Sequence, residues 1–165
     1  MKLHFRKATL ADKDQLKHLG LISYGQFAQL LGEHWDKMQT NLSNDENWIK
    51  IISGSTGFVC CNADKIIGMA FIISSGNPWD IFKAEWSYIR LVGVDPLYSG
   101  KGIAKELTKL CIDHAKQCGE KTLALHTSEF MNTARHIYES AGFKVLQEIE
   151  PRFGKKYWLY TLDLK

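Results

Sequence analysis

Apolar positions along the chain change repeatedly between alternation and a spacing near four, and those changes outline its elements. Residues 3–8 alternate as a strand, and Thr9-Leu10-Ala11-Asp12 reads as a capping box for a helix ending near Gly20. From about Tyr24, the residues Phe27, Leu30, Leu31, Trp35 and Met38 recur at helical spacing, which predicts a second helix with a buried stripe. Asn44-Asp45-Glu46 can cap a short helix carrying Trp48, Ile49 and Ile52, and Gly54-Ser55-Thr56-Gly57 ends it. Residues 58–61 and 66–75 predict two strands joined by the turn Asn62-Ala63-Asp64-Lys65, a hairpin.

A strand over 86–94 follows the loop Ser75-Gly76-Asn77-Pro78, and Asp95-Pro96 stops it. Ile103, Leu107, Leu110, Cys111, His114 and Cys118 then mark one face of a long helix that Gly119 terminates. Residues 122–126 form a further strand, and a helix runs over 132–141 with Asn132 as its candidate N-cap. Two last strands, 144–149 and 157–162, flank a loop over 151–156. The whole reads as one mixed α/β domain over 1–165 with about seven strands and about four helices.

Residues 94–104, V-D-P-L-Y-S-G-K-G-I-A, stand out chemically. A strand ends, Gly100 and Gly102 permit a tight turn with exposed N–H groups, and a helix begins at once. Free amides and the positive end of the helix dipole at such a point favour a bound anion such as a pyrophosphate. Two familiar phosphate loops do not fit. A Walker A loop ending at Gly100-Lys101 would need Gly at Asp95 and Ser or Thr at Gly102, and a dinucleotide fingerprint from Gly100 would need Gly at Lys105.

The stretch resembles the acetyl-CoA-binding motif of the GCN5-related N-acetyltransferases (GNAT), a strand ending in Val, four residues, Gln or Arg, then x-x-Gly-x-Gly/Ala. Val94, Ser99, Gly102 and Ala104 hold those places, with Ser99 departing from Gln or Arg. The segment N-T-A-R-H-I-Y-E-S-A-G-F, from Asn132 through Phe143, resembles a second family motif, a helix carrying Asn, Ala, Tyr and a closing Gly-Phe. The resemblance implies the GNAT-like fold, a central, mostly antiparallel sheet of about seven strands flanked by about four helices, and direct acetyl transfer from acetyl-CoA to the primary amine of a small-molecule or peptide acceptor, with no metal. It implies cofactor contacts at Val92, Val94, Ser99, Gly100, Lys101, Gly102, Ile103, Ala104, Lys105 and Asn132, the last of which could instead only cap its helix.

Tyr138 matches the family's helix tyrosine and is the candidate general acid; a core aromatic beside Ala134 and Ile137 is the plainer reading. Family members often place a Glu six residues before the motif's Val, where this chain has Tyr88, so the base is open among His126, Glu85, Glu129 and a water relay. The acceptor pocket is expected between the first helices and the loop before the last strand. Tyr24, Tyr88 and Arg152 are its candidates, and Arg152 could pair with an acceptor carboxylate. The Ser99 and Tyr88 departures leave a competing class, a non-catalytic module that binds acyl-CoA for regulation.

A net charge of +3 without a basic run gives no footprint for nucleic acid, though Lys101, Lys105 and Lys109 suit an anionic cofactor. No apolar run approaches the roughly 20 residues of a membrane helix, and the N-terminal stretch lacks a signal-type apolar segment. Cys60, Cys61, Cys111 and Cys118 have no paired C-x-x-C spacing and read as reduced core thiols in a cytoplasmic protein. An edge strand or the C-terminal hairpin could carry a homodimer.

Overall fold

The computed structural model describes residues 2–165. Seven strands, β1 (Leu3–Lys7), β2 (Thr56–Asn62), β3 (Lys65–Ile73), β4 (Ser87–Val94), β5 (Thr122–Ser128), β6 (Lys144–Arg152) and β7 (Lys155–Asp163), form one sheet in the order β1-β2-β3-β4-β5-β7-β6. All neighbours are antiparallel except β4 and β5. Six helices accompany them, α1 (Lys13–Gly25), α2 (Ala28–Leu31), α3 (His34–Ser43), α4 (Asp45–Gly54), α5 (Ile103–Gln117) and α6 (Asn132–Ser140), where about four were expected.

Glycines account for two of the departures. Gly20 does not end α1, because its role is close approach: a Cβ there would lie 2.8 Å from Cζ2 of Trp48. The missing side chain lets the α4 indole lie against α1, where its N–H donates to the Leu42 carbonyl at 2.7 Å. The expected second helix instead breaks at Gly32 into α2 and α3. The Asn44 cap forms as read, its side-chain oxygen accepting from the Asn47 N–H at 3.2 Å. The expected loop over 151–156 shrinks to a hairpin turn at Phe153-Gly154, both with positive φ, so β6 and β7 extend toward each other.

The helices cover both faces of the sheet. On one, Leu16, Leu19, Met38, Leu42 and Trp48 pack with Val59, Met69, Phe71 and Ile73. On the other, Ile103, Leu107 and Cys111 of α5 and Tyr138 of α6 pack with Cys60, Ile67, Ala70, Ile89, Leu123 and Leu125. Coverage on both sides explains why β3 is an almost unbroken apolar run rather than an alternating one. Cys60, Cys61 and Cys111 lie in these cores as free thiols, whereas Cys118 is exposed rather than buried.

The sheet opens in its centre. β4 and β5 pair only at Ser87–Leu123 and Tyr88–Ala124, so beyond Tyr88 the β5-facing edge of β4 has no strand partner. On the other edge, Arg90 pairs with Phe71 and Gly93 with Met69, which sets Leu91 and Val92 against the single residue Ala70. This bulge places Leu91 at φ 55°, an uncommon conformation for a branched side chain. It also shifts the side-chain alternation: Tyr88 and Leu91 pack with the α1 side, Ile89 and Val92 with the α5 side. A bulge beside an opened strand edge is a common way to aim backbone groups at a ligand.

Candidate active site

At the open end of β4 the chain turns through Pro96–Tyr98, held by Asp95, whose carboxylate accepts from the Leu97 N–H at 3.0 Å. Gly100 and Gly102 follow at φ 76° and 77°, where a side chain would be strained, and α5 starts at Ile103. The first bond into that helix runs from the Glu106 N–H to the Gly102 carbonyl at 3.0 Å. The amides of Ile103, Ala104 and Lys105 therefore lack an intrahelical acceptor, and no side chain caps the helix start. That is the donor set an anionic group needs.

The strand above contributes backbone groups as well. The Asp95 N–H points toward β3, donating to the Ile67 carbonyl at 2.9 Å. Strand alternation then turns the Val94 N–H the other way, into the opening beside β5. The Val92 carbonyl accepts from the Tyr24 hydroxyl at 3.3 Å, which pins α1 to the bulged segment. Burial raises the Tyr24 pKa well above its ordinary range, so this phenol remains a donor.

Two cavities meet here. The smaller, of about 370 Å³, runs from the glycine turn to α6 and is lined by nine of the ten expected cofactor residues: Val92, Val94, Ser99, Gly100, Gly102, Ile103, Ala104, Lys105 and Asn132. Lys101 is exposed in the same turn but outside that lining. The larger, of about 700 Å³, holds Tyr24, His126, Arg152 and Tyr157 together with Trp79, Asp80 and Arg90. Val92, Met131 and Tyr138 belong to both.

Tyr138 sits at that junction on α6, 6% exposed, and burial pushes its hydroxyl well above the ordinary tyrosine range. Ala134, Tyr138, Gly142 and Phe143 keep the spacing of the second family motif, and the place of its Asn falls on Met131, with Asn132 one residue later. Asn132 does not cap α6 either; Met131 holds the N-cap position. His126 lies deep in the larger cavity, stacked on Phe82 with ring centroids 5.6 Å apart and edge-on to Tyr157 at the same separation. Its buried Nδ1 has no partner among the described residues. Burial first, then the nearby positive Arg152, lowers its pKa to about 4.

The remaining candidates scatter. Glu85 is exposed and lines neither cavity, and Glu129 accepts the Lys156 N–H at 2.7 Å outside both. Tyr88 is buried beneath the larger cavity, stacked on Phe82 with centroids 4.4 Å apart, its hydroxyl donating to the Asn77 carbonyl at 3.3 Å. The Arg152 guanidinium is already engaged in a two-point pair with the Asp80 carboxylate, one contact of which is 2.9 Å. Sequence reasoning passed over Arg90, Trp79, Asp80 and Met131. Of these, Arg90 carried a readable signal, a lone charge inside the apolar run Y-I-R-L-V-G-V.

A split central sheet, a glycine turn and an uncapped helix start together give an α/β protein with a cleft that opens between β4 and β5 and ends on free helix amides. A sequence profile described as the acetyltransferase (GNAT) family matches residues 25–143, and the chain belongs to that family. The N-acetylaspartate synthetase of Xenopus tropicalis is 29% identical over 113 residues, 68% of this chain and 40% of its own length. The L-amino acid N-acyltransferase MnaT of Escherichia coli K12 is 31% identical over 70 residues, 41% of this chain and 40% of its own length. This chain thus matches about two fifths of each of these curated relatives. The PaiA N-acetyltransferase of Thermoplasma acidophilum, solved in complex with coenzyme A, shares the fold with a TM-score of 0.80 over 99% of both chains at 16% identity.

Proposed function

We propose that the chain moves an acetyl group from acetyl-CoA to a primary amine by direct transfer in a ternary complex. The observation that carries this reading is the meeting of two cavities at Val92, Met131 and Tyr138. A donor in the smaller cavity and an acceptor in the larger one would come into contact there. None of those three side chains is a nucleophile of the Cys, Ser or Lys kind, and Cys111, whose thiol burial pushes up to about 12, lines neither cavity. A direct route fits this wall better than a covalent acyl-enzyme. A module that only bound acyl-CoA would have no use for the larger cavity.

Acetyl-CoA, when bound, supplies a thioester carbonyl already activated toward amines. The residues of this chain do the positioning. The amides of Ile103, Ala104 and Lys105 and the turn Gly100–Gly102 cradle the pyrophosphate, with Lys105 adding charge. The unpaired β4 edge at Val92 and Val94 hydrogen-bonds the pantetheine arm and fixes the carbonyl for attack. Tyr138 holds its proton across the working pH range, so it donates a hydrogen bond to the departing sulfur. A thiol near 8.5 is the stronger acid of the two, so stabilisation by that bond, rather than complete proton transfer, is the contribution expected of the phenol.

His126, with a pKa near 4, is too weak a base to strip an ammonium of its proton unaided. The amine therefore enters as the free base or loses its proton to water. Buried free thiols suit a reducing compartment, and a cytoplasmic location belongs to the same reading. Among the described residues, no helix is long and apolar enough to cross a membrane.

Initial rates measured across a matrix of acetyl-CoA and amine concentrations test the route. Intersecting double-reciprocal lines are expected. Parallel lines, with acetyl label retained on the protein after gel filtration, would establish an acyl-enzyme and refute direct transfer.

A further inference from the structure

The larger cavity carries an uncompensated positive charge. Asp80 is the only carboxylate in its lining, and Arg152 takes both its oxygens. Arg90, half-buried on β4, has no hydrogen-bond or ion-pair partner among the described residues. Its guanidinium carbon lies 4.0 Å from the centroid of the Trp79 ring, so one planar face is covered while the N–H edges stay available. Burial lowers its pKa, and the nearby Asp80, whose oxygens are already held by Arg152, offsets only part of that effect.

The position of Arg90 is also held from below. Trp79 stacks with Phe82 and Tyr88, both centroid separations being 6.3 Å, and Phe82 with Tyr88 at 4.4 Å. The Trp79–Phe82 bridge closes the loop that carries Asp80. A guanidinium seated on a packed aromatic stack loses little freedom on binding, and its remaining edge matches a planar, two-oxygen anion.

We propose that Arg90, braced by Trp79, is the acceptor-binding cation of this site, and that the acceptor is a compact amine bearing a carboxylate, an amino acid rather than a polyamine or an internal lysine of a protein. This rests on the acetyl-transfer reading for the identity of the reacting amine. Two residues along β4 from Arg90, Val92 forms part of the junction with the donor cavity, so one wall presents the carboxylate clamp and the reacting end in order. Trp79, Met38, Phe153 and Tyr157 leave an apolar surround for the acceptor's side chain. A polyamine or a lysine side chain would bring a second or an isolated positive charge to a cavity already holding a free Arg90.

The test separates binding from turnover. In coenzyme A-saturated protein, N-acetylated amino acids and the matching N-acetylated carboxamides are titrated by calorimetry, and the free amino acids and their amides are compared as acceptors by thiol release. The wild-type protein should bind at least one carboxylate at least tenfold more tightly than its amide. In Arg90→Met, which keeps an apolar stem on Trp79, that preference should fall below threefold, with Arg90→Lys between the two. Coenzyme A affinity should stay unchanged in all three proteins. Wild-type protein that fails to prefer any carboxylate, or a preference that survives in a folded Arg90→Met or Arg90→Lys, overturns the proposal. Carboxylate-selective binding without acetylation of any amine would uphold the Arg90 site and instead refute the acetyl-transfer reading.

Discussion

His126 gives the most quantitative handle on the site. Its imidazole is packed between Phe82 and Tyr157 and held neutral, with a pKa near 4 against 6.5 for a free side chain. Lowering the pH protonates this histidine in the unfolded chain before the folded one, so the unfolded state binds more protons and stability falls. The contribution is intact above pH 6.5 and fades as the pH drops toward 4. Two and a half pKa units at 1.36 kcal/mol each set a limit of roughly 3.4 kcal/mol, of which about 2 kcal/mol is lost between pH 7.5 and 5. His126→Phe keeps an aromatic ring in the slot and removes the titration. Urea denaturation of both proteins at the two pH values should show the variant losing about 2 kcal/mol less than wild type. His114, whose pKa is also lowered, contributes equally to both and cancels. Equal losses in the two proteins would mean that His126 is not a buried neutral group, and the argument against it as a proton store at neutral pH would fail with it.

Further outcomes follow from the same geometry. The kcat/KM for amine should rise with pH from 6 to 8 with a slope approaching one, tracking the free amine, and His126→Phe should keep that shape; a limb near 6.5 that vanishes in the variant would restore His126 as the base. Tyr138→Phe should lower kcat by about 10-fold to 100-fold while acetyl-CoA affinity by calorimetry stays within about threefold, whereas unchanged turnover across a pH series would remove the phenol from the mechanism. Gly102→Glu and Gly100→Glu place a carboxylate in the anion cradle at positive φ, and loss of acetyl-CoA binding in a folded variant is expected; retained micromolar affinity would locate the cradle elsewhere. Gly20→Ala should destabilise the fold by about 1–2 kcal/mol in denaturant despite alanine's better helix propensity, because its Cβ would meet Trp48 at 2.8 Å.

Much of this was legible from local signals, and the misses have a common cause. The strand ending at Val94, the double-glycine turn and the helix from Ile103 are each set by neighbours within a few residues, so their reading survives into the structure. Gly20 resembles a stop because glycine ends many helices, whereas its constraint is Trp48, twenty-eight residues away. Arg152 looked free to bind an acceptor, and only the fold brings Asp80 to it across 72 residues. The Leu91 bulge depends on how β4 pairs with Ala70, which no pattern within β4 announces. Arg90 was the exception, a solitary charge in an apolar strand that could have been questioned from the chain alone.

Calorimetric titration with acetyl-CoA, followed in the same sample by a panel of amino acids, their amides, polyamines and peptides with thiol release monitored, tests the central claim most directly. The account predicts binding of acetyl-CoA and release with amino acids above all other amines. Absence of acetyl-CoA binding, or binding with no release from any amine in the panel, would contradict it.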